Sequence, residues 1–149
     1  MNDEKKIDHE KLSTSYLGVA HQWLCDSMGH LNTRHYVAMF DDAGMHFLLQ
    51  LGYNWSVSKQ LEIGWVDAKN IIEYKLEVSA GALISIYSGI RHIGNKSLTL
   101  YHEMRDSEAQ GLHATMEATL VCFNLKTRKA MPNSDKFREK ANVYICNRE

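Results

Sequence analysis

Proline is nearly absent from this chain of 149 residues, which has one, Pro132. Cysteine is scarce as well. Cys25, Cys122 and Cys146 form no C-x-x-C pair and leave an odd thiol in any pairing, so reduced thiols in a cytoplasmic protein are expected. No apolar run approaches the roughly 20 residues that cross a bilayer. The stretch from Met1 to Glu10 is polar and of mixed charge. It has no apolar core of a secretion signal, and its acidic residues and lack of Arg argue against a transit peptide. Neither sign of charge dominates: 17 Lys and Arg face 18 Asp and Glu, for a net charge of −1 and a pI near 6.7. That balance gives no general electrostatic reason to bind nucleic acid or an anionic membrane. Internal repeats and low-complexity tracts are also missing. What remains is ordinary globular usage, 44% hydrophobic and 23% charged, which excludes disordered and fibrous classes. The length suits one domain with one core.

Residues 1–14 read as a polar arm, 15–133 as the folded domain and 134–149 as a polar tail with helical potential. Apolar content rises from Tyr16 to Leu24, where a first strand is expected. A turn-like segment follows from Cys25 to Asn32. Residues 33–51 then read as one long helix, because Tyr36, Phe40, Ala43, Phe47 and Leu51 recur at helical spacing. From Tyr36 to Leu51, 11 of 16 residues are apolar, so this helix needs cover on most sides. Asn32 is placed to cap its start and Gly52 its end.

From about Leu61 the period changes to two. Tyr74, Leu76 and Val78 alternate with charged neighbours, and Ile84, Ile86 and Ile90 recur at even spacing. So do Leu98 and Leu100, then Met116, Ala118 and Leu120. Turn signals separate them at Ser79–Gly81, Gly94–Lys96 and Asp106–Gly111. Gaps this short predict antiparallel hairpins between successive strands. A single sheet must bury its apolar face, and the only element available is the long helix. The expected architecture is α+β, a sheet curled around that helix.

Chemistry concentrates in Asp26-Ser27-Met28-Gly29-His30-Leu31-Asn32-Thr33-Arg34-His35-Tyr36. Here a loop carboxylate precedes the start of a helix, where free N–H groups carry partial positive charge. Such amides can polarise a carbonyl oxygen. A nearby carboxylate can attack the carbonyl carbon or activate a water beside it. The same residues also suit plain capping and turn roles, with Gly29 permitting a tight bend. Metal binding by His30 with His35 or Asp26, or by Asp42 with His46, lacks an H-E-x-x-H pattern or a Cys–His cluster, and no metal is expected. Cys25 beside Asp26 is a poor thiolate and reads as a small buried residue. Ser97 suits a turn-and-strand role at least as well as a ligand contact. Arg91, Lys96, Arg128 and Lys129 are candidates to hold the phosphates of a nucleotide tail, or are simply solvated.

The pattern Asp-x-x-Gly-His-x-Asn-x-x-x-Tyr, complete as Asp26, Gly29, His30, Asn32 and Tyr36, resembles the signature of hotdog-fold acyl-CoA thioesterases of the hydroxybenzoyl-CoA thioesterase type. The likeness extends over roughly residues 16–133, including the helix ending in Leu51-Gly52 and the strand from Arg91 to Leu100. It implies a five- to six-stranded antiparallel sheet wrapped around one long central helix. It also implies an enzyme cleaving an acyl-CoA thioester, with CoA as part of the substrate and no separate cofactor. Asp26 then matches the nucleophile or general base, and Thr33 the position whose backbone N–H polarises the thioester carbonyl. His30 and Asn32 match polar positions that shape the site, and Tyr36 an aromatic that packs the first helical turn. Some members place the carboxylate within the helix, where this chain has Asp41 and Asp42. The resemblance further implies a homodimer or a tetramer of dimers with acyl sites at the subunit interface. Thioesterases acting on acyl carrier protein and non-catalytic acyl-CoA-binding proteins remain alternatives. Met28, Leu31, Met39 and Phe40 are candidates to line an acyl pocket, or ordinary core.

Overall fold

The computed structural model describes residues 7–147. A 3₁₀ turn at His9–Lys11 leads into strand β1 (Ser13–Val19), and a second at Gln22–Leu24 precedes helix α1 (Arg34–Gln50). A short helix α2 (Trp55–Leu61) follows, then strands β2 (Ile63–Tyr74), β3 (Leu83–Ile93), β4 (Ser97–Asp106), β5 (Leu112–Asn124) and β6 (Lys129–Ala130), and helix α3 (Asp135–Asn142). The sheet is antiparallel in the order β1-β3-β4-β5-β2, with β6 added beside β5. This is the expected α+β fold, a sheet of six strands around one long helix.

Helix α1 lies on the sheet through the predicted face. Tyr36, Phe40, Ala43, Phe47 and Leu51 are all buried, joined by Met39 and Leu48. Opposite them the sheet presents Ile84, Ile86 and Ile90 from β3, Leu98, Leu100 and Met104 from β4, and Ala114, Met116 and Ala118 from β5. Removing a large side chain of this kind from water is worth roughly 1.5–3 kcal/mol. Gly52 ends the helix as predicted. At φ +87° its N–H donates to Leu49 O, and the next N–H, of Tyr53, donates to Leu48 O, which satisfies two carbonyls the helix would otherwise leave open.

Several expectations change. The first strand begins at Ser13 and stops at Val19, because Val19 pairs with Leu83, the first residue of β3, and no ladder continues beyond it. Trp23, expected in that strand, is instead exposed and stacked on His21. The segment around Ser79–Gly81 is no hairpin, since β2 pairs with β5 at one edge while β3 lies between β1 and β4. Residues 75–82 cross between these positions, so Leu76 is exposed and Val78 is buried in a loop rather than a strand. Among the described residues nothing covers the outward side of α1, where Val37, Met45 and Leu49 are 44%, 63% and 54% exposed.

Of the segment read as a polar tail, 134–149, residues up to 147 are described. Ser134 caps α3 by accepting from Phe137 N, and Ala141 and Cys146 are fully buried. After the helix, Tyr144 O accepts from Ile90 N, and Cys146 N donates to Ile90 O, both at 2.9 Å. This return pairs β3 beyond Ser88, where β1 runs out. Of the arm, residues 1–6 lie outside the described residues. Asp8 N donates to Cys146 O, so the two ends of the described chain meet. All three cysteines are free, and burial pushes the Cys146 thiol up to about 11.

Candidate active site

The segment Cys25–Asn32 folds as a tight excursion. Asn32 N donates to Leu24 O, Cys25 bridges Leu31, and Asp26 N donates to His30 O at 2.8 Å. Gly29 turns the chain at φ +78°, and an added Cβ would meet nothing within 4 Å, so the glycine is needed for backbone conformation and not for space. The partly buried Asp26 carboxylate braces the turn through one oxygen. Its Oδ1 accepts from Met28 N at 2.9 Å and from His30 N at 3.2 Å. No protein donor among the described residues engages Oδ2.

The crossover 75–82 clamps the excursion from outside. Leu31 N donates to Val78 O, Ala80 N donates to Gly29 O, and His30 Nε2 lies 3.2 Å from Glu77 Oε2. Tyr36 packs edge-on against Tyr74, with ring centroids 5.0 Å apart. Its hydroxyl is pushed above the ordinary phenol value by burial first, then by Tyr74, Asp26, Cys25 and Glu77. Glu77, Val78 and Tyr74 are contributions that the motif did not reveal; they lie far along the chain and reach the loop because residues 75–82 cross from β2 to β3.

At the helix start Thr33 has helical dihedrals (φ −48°, ψ −38°), which makes Asn32 the effective cap, as expected. Asn32 Oδ1 accepts from Arg34 N at 3.2 Å, and Asn32 O accepts from His35 N at 3.0 Å. The backbone N–H of Thr33 has no hydrogen-bond partner among the described residues. One main-chain donor therefore remains available at the positive end of α1.

The other candidates are placed elsewhere. Asp41 and Asp42 lie on the exposed side of α1; burial pushes the Asp41 carboxyl up, with Asp67 of β2 and Asp42 adding to it. Ser97 follows the β3–β4 turn, at the end of β3 remote from the loop, so it is not brought to Asp26. Arg91 is engaged with Glu117 at 2.9 Å and lies over the Tyr101 ring, while Arg128 lies over Phe123. Of the candidate acyl-pocket residues, Leu31, Met39 and Phe40 are core, and Met28, two residues from Asp26, is 74% exposed. Among the described residues no group of three or more His, Cys, Asp or Glu side chains converges as a metal site would need.

The thioesterase-like superfamily model matches residues 19–141 of the chain. The protein belongs to that superfamily and has the hotdog fold. Three solved structures show the likeness. The Staphylococcus aureus protein SAV2348, solved in complex with CoA, superposes with a TM-score of 0.82 at 19% identity, over 97% of this chain and 87% of that one. A DHNA-CoA thioesterase from Staphylococcus aureus gives 0.75 at 17% identity, over 89% and 88%. A predicted thioesterase from Bacillus stearothermophilus gives 0.76 at 24% identity, over 93% and 99%. Comparison with curated protein sequences gives no match.

Proposed function

We propose that the protein hydrolyses the thioester of an acyl-CoA to the free acid and CoA, at the Asp26 loop and the start of α1. The observation that carries this reading is the unpartnered Thr33 N–H on the helix's first turn, next to a loop carboxylate braced through one oxygen. The thioester oxygen accepts from Thr33 N–H, which stabilises the negative charge that develops there. Asp26 either removes a proton from an attacking water or attacks the carbonyl carbon itself, giving a mixed anhydride that water then cleaves. The C–S bond breaks and the CoA thiolate leaves with little acid assistance, so one carboxylate and one amide suffice. His30 and Asn32 act as shaping residues, through Glu77 and through the cap on Arg34 N. The CoA complex of the Staphylococcus aureus relative supports CoA as the carrier.

A homodimer, or a tetramer of dimers, goes with this reading. Strand β2 is a 12-residue edge that exposes Val66, Ile71 and Tyr74, and α1 exposes Val37, Met45 and Leu49. Edge pairing of two copies would cover such a strand. A cytoplasmic location is compatible with an acyl-CoA substrate, and nothing in the net charge recommends nucleic acid or membrane as a partner.

The test is thiol release across a panel of acyl-CoAs and the matching acyl carrier proteins, with Asp26→Asn and Asp26→Ala as controls. Faster release from the carrier protein would transfer the reading to that substrate. One observation favours a second reading, a non-catalytic acyl-CoA-binding protein: the two hydrogen bonds to Asp26 Oδ1 are those of a plain turn cap. Tight acyl-CoA binding with no thiol released over hours would decide for it.

A further inference from the structure

A cavity of about 210 Å³ lies at the C-terminal end of α1, lined by the chain leaving that helix, α2, the start of β2, Cys122 of β5, residues 131–134 and α3. The helix has 17 residues, so at 1.5 Å per residue this cavity is about 25 Å from the end that carries the Asp26 loop. Its walls are mainly apolar and aromatic. Tyr53 packs edge-on to Trp65, with ring centroids 6.0 Å apart, and Trp65 packs against Phe137 at 5.1 Å.

Two buried polar atoms on lining residues have no hydrogen-bond partner among the described residues, Trp65 Nε1 and Asn133 Oδ1. The Asn133 amide cannot turn over to relieve its oxygen, because Nδ2 donates to Gly94 O and Ser97 O, both at 3.0 Å. The rim carries charge of one sign. Lys136 and Lys140 line it, with no carboxylate among the described lining residues, and neither lysine is ion-paired to a described residue. Lys140 Nζ would lie 2.7 Å from a Cβ on Gly52, so its ammonium stands at the negative end of α1.

We propose that this cavity is a second binding site, for a compact aromatic or medium-chain carboxylate. Apolar walls take the body of such a molecule and the two lysines take its carboxylate. A cavity of about 150 Å³ with apolar walls already accepts benzene, whereas sites for large ligands run to several hundred Å³. The space therefore suits the body of a compact free acid. A free acid is also what thioester cleavage releases; that link rests on the function proposed above, while binding itself does not.

The probes are 2-naphthoate and octanoate, titrated by calorimetry and by the fluorescence of Trp65 in a Trp23→Phe, Trp55→Phe background. One equivalent per chain binds with a dissociation constant below about 1 mM, equally in wild type and in Asp26→Ala. Affinity falls at least tenfold in Val57→Phe, which fills the cavity, and several-fold in Lys136→Gln, Lys140→Gln. That surface pair keeps the test valid if the cavity-filling variant folds poorly. The neutral 2-naphthalenemethanol binds more weakly than 2-naphthoate to wild type and is indifferent to the lysine pair. Absence of saturable binding overturns the proposal. So does binding that is abolished by Asp26→Ala, or that ignores both the filling and the lysine variants. Thiol release in the same preparations separates the two readings: an active enzyme that binds no acid sinks only the cavity site, and an inactive protein that binds it sinks only the hydrolase.

Discussion

Replacing Asp26 by Asn leaves an amide oxygen where Oδ1 now accepts from Met28 N and His30 N, so the turn should persist while the charge is lost. Asp26→Ala removes both. The expected outcome is a fall in kcat/KM of at least a hundredfold in each variant, with stability held in Asn and lowered by roughly 0.5–2 kcal/mol in Ala, as for a lost cap. Thiol release and urea denaturation measure the two effects separately; equal stability losses would mean that the turn does not depend on the Oδ1 bonds. A second residue sets acid stability. His102 is fully buried, shares a 2.6 Å hydrogen bond with Ser88 Oγ, and is held by burial at a pKa of about 3, against an ordinary 6.5. The unfolded chain binds this proton more readily than the folded one. His102 therefore contributes no pH penalty above pH 6.5, and stability falls as pH drops from there toward 3, by on the order of a few kcal/mol. His102→Gln should flatten that limb of the stability–pH profile, read from urea midpoints at successive pH values.

Helix α1 carries both the core face and the candidate oxyanion donor, so its two ends can be perturbed independently. Phe47→Ala, at a fully buried position near the C-terminal end, should cost roughly 3–5 kcal/mol. If the fold survives, KM and kcat should change little, because the loop is held by the crossover 75–82 and not by Phe47. Helix α3 and the segment after it are structural in the same sense. Truncation after Asn133 removes Ala141, Tyr144 and Cys146 from the core and leaves Ile90 N and O without their partners. Circular dichroism and thermal melting should then show loss of a cooperative transition. A sharp melt within a few degrees of the full chain would show that α3 is dispensable.

Two exposed apolar surfaces remain when one copy of the chain is considered, the β2 edge and the outward side of α1. Exposed strand edges call for pairing, cover or charge, and a second copy offers a matching edge. Light scattering should give twice the chain mass of 17.1 kDa, that is 34.2 kDa, or twice that again for paired dimers. Ile71→Lys places a charge on the edge strand and should shift the assembly toward monomer on dilution, with thiol release falling in parallel. A monomer at micromolar concentration in the native chain would remove the interface from the proposed site.

Periodicity made α1 legible residue by residue, because helix burial repeats every three to four positions and is written locally. Spacing likewise exposed Asn32 as a cap, Gly52 as a terminator, and the hairpins β3–β4 and β4–β5, since each depends on neighbours within a few residues. The ends of β1, the placing of β2 at the far edge and the embedding of α3 were not legible in this way. Each depends on which partner strand is still present alongside, a long-range fact. The loop shows the same division. Asp26, Gly29 and Asn32 stand out in eleven consecutive residues, but Glu77, Val78 and Tyr74 reach them only because the chain crosses the sheet between β2 and β3. The cavity at the other end of α1 has no local signature at all, since residues 51–65, Cys122 and residues 131–140 must pack together before a space exists between them.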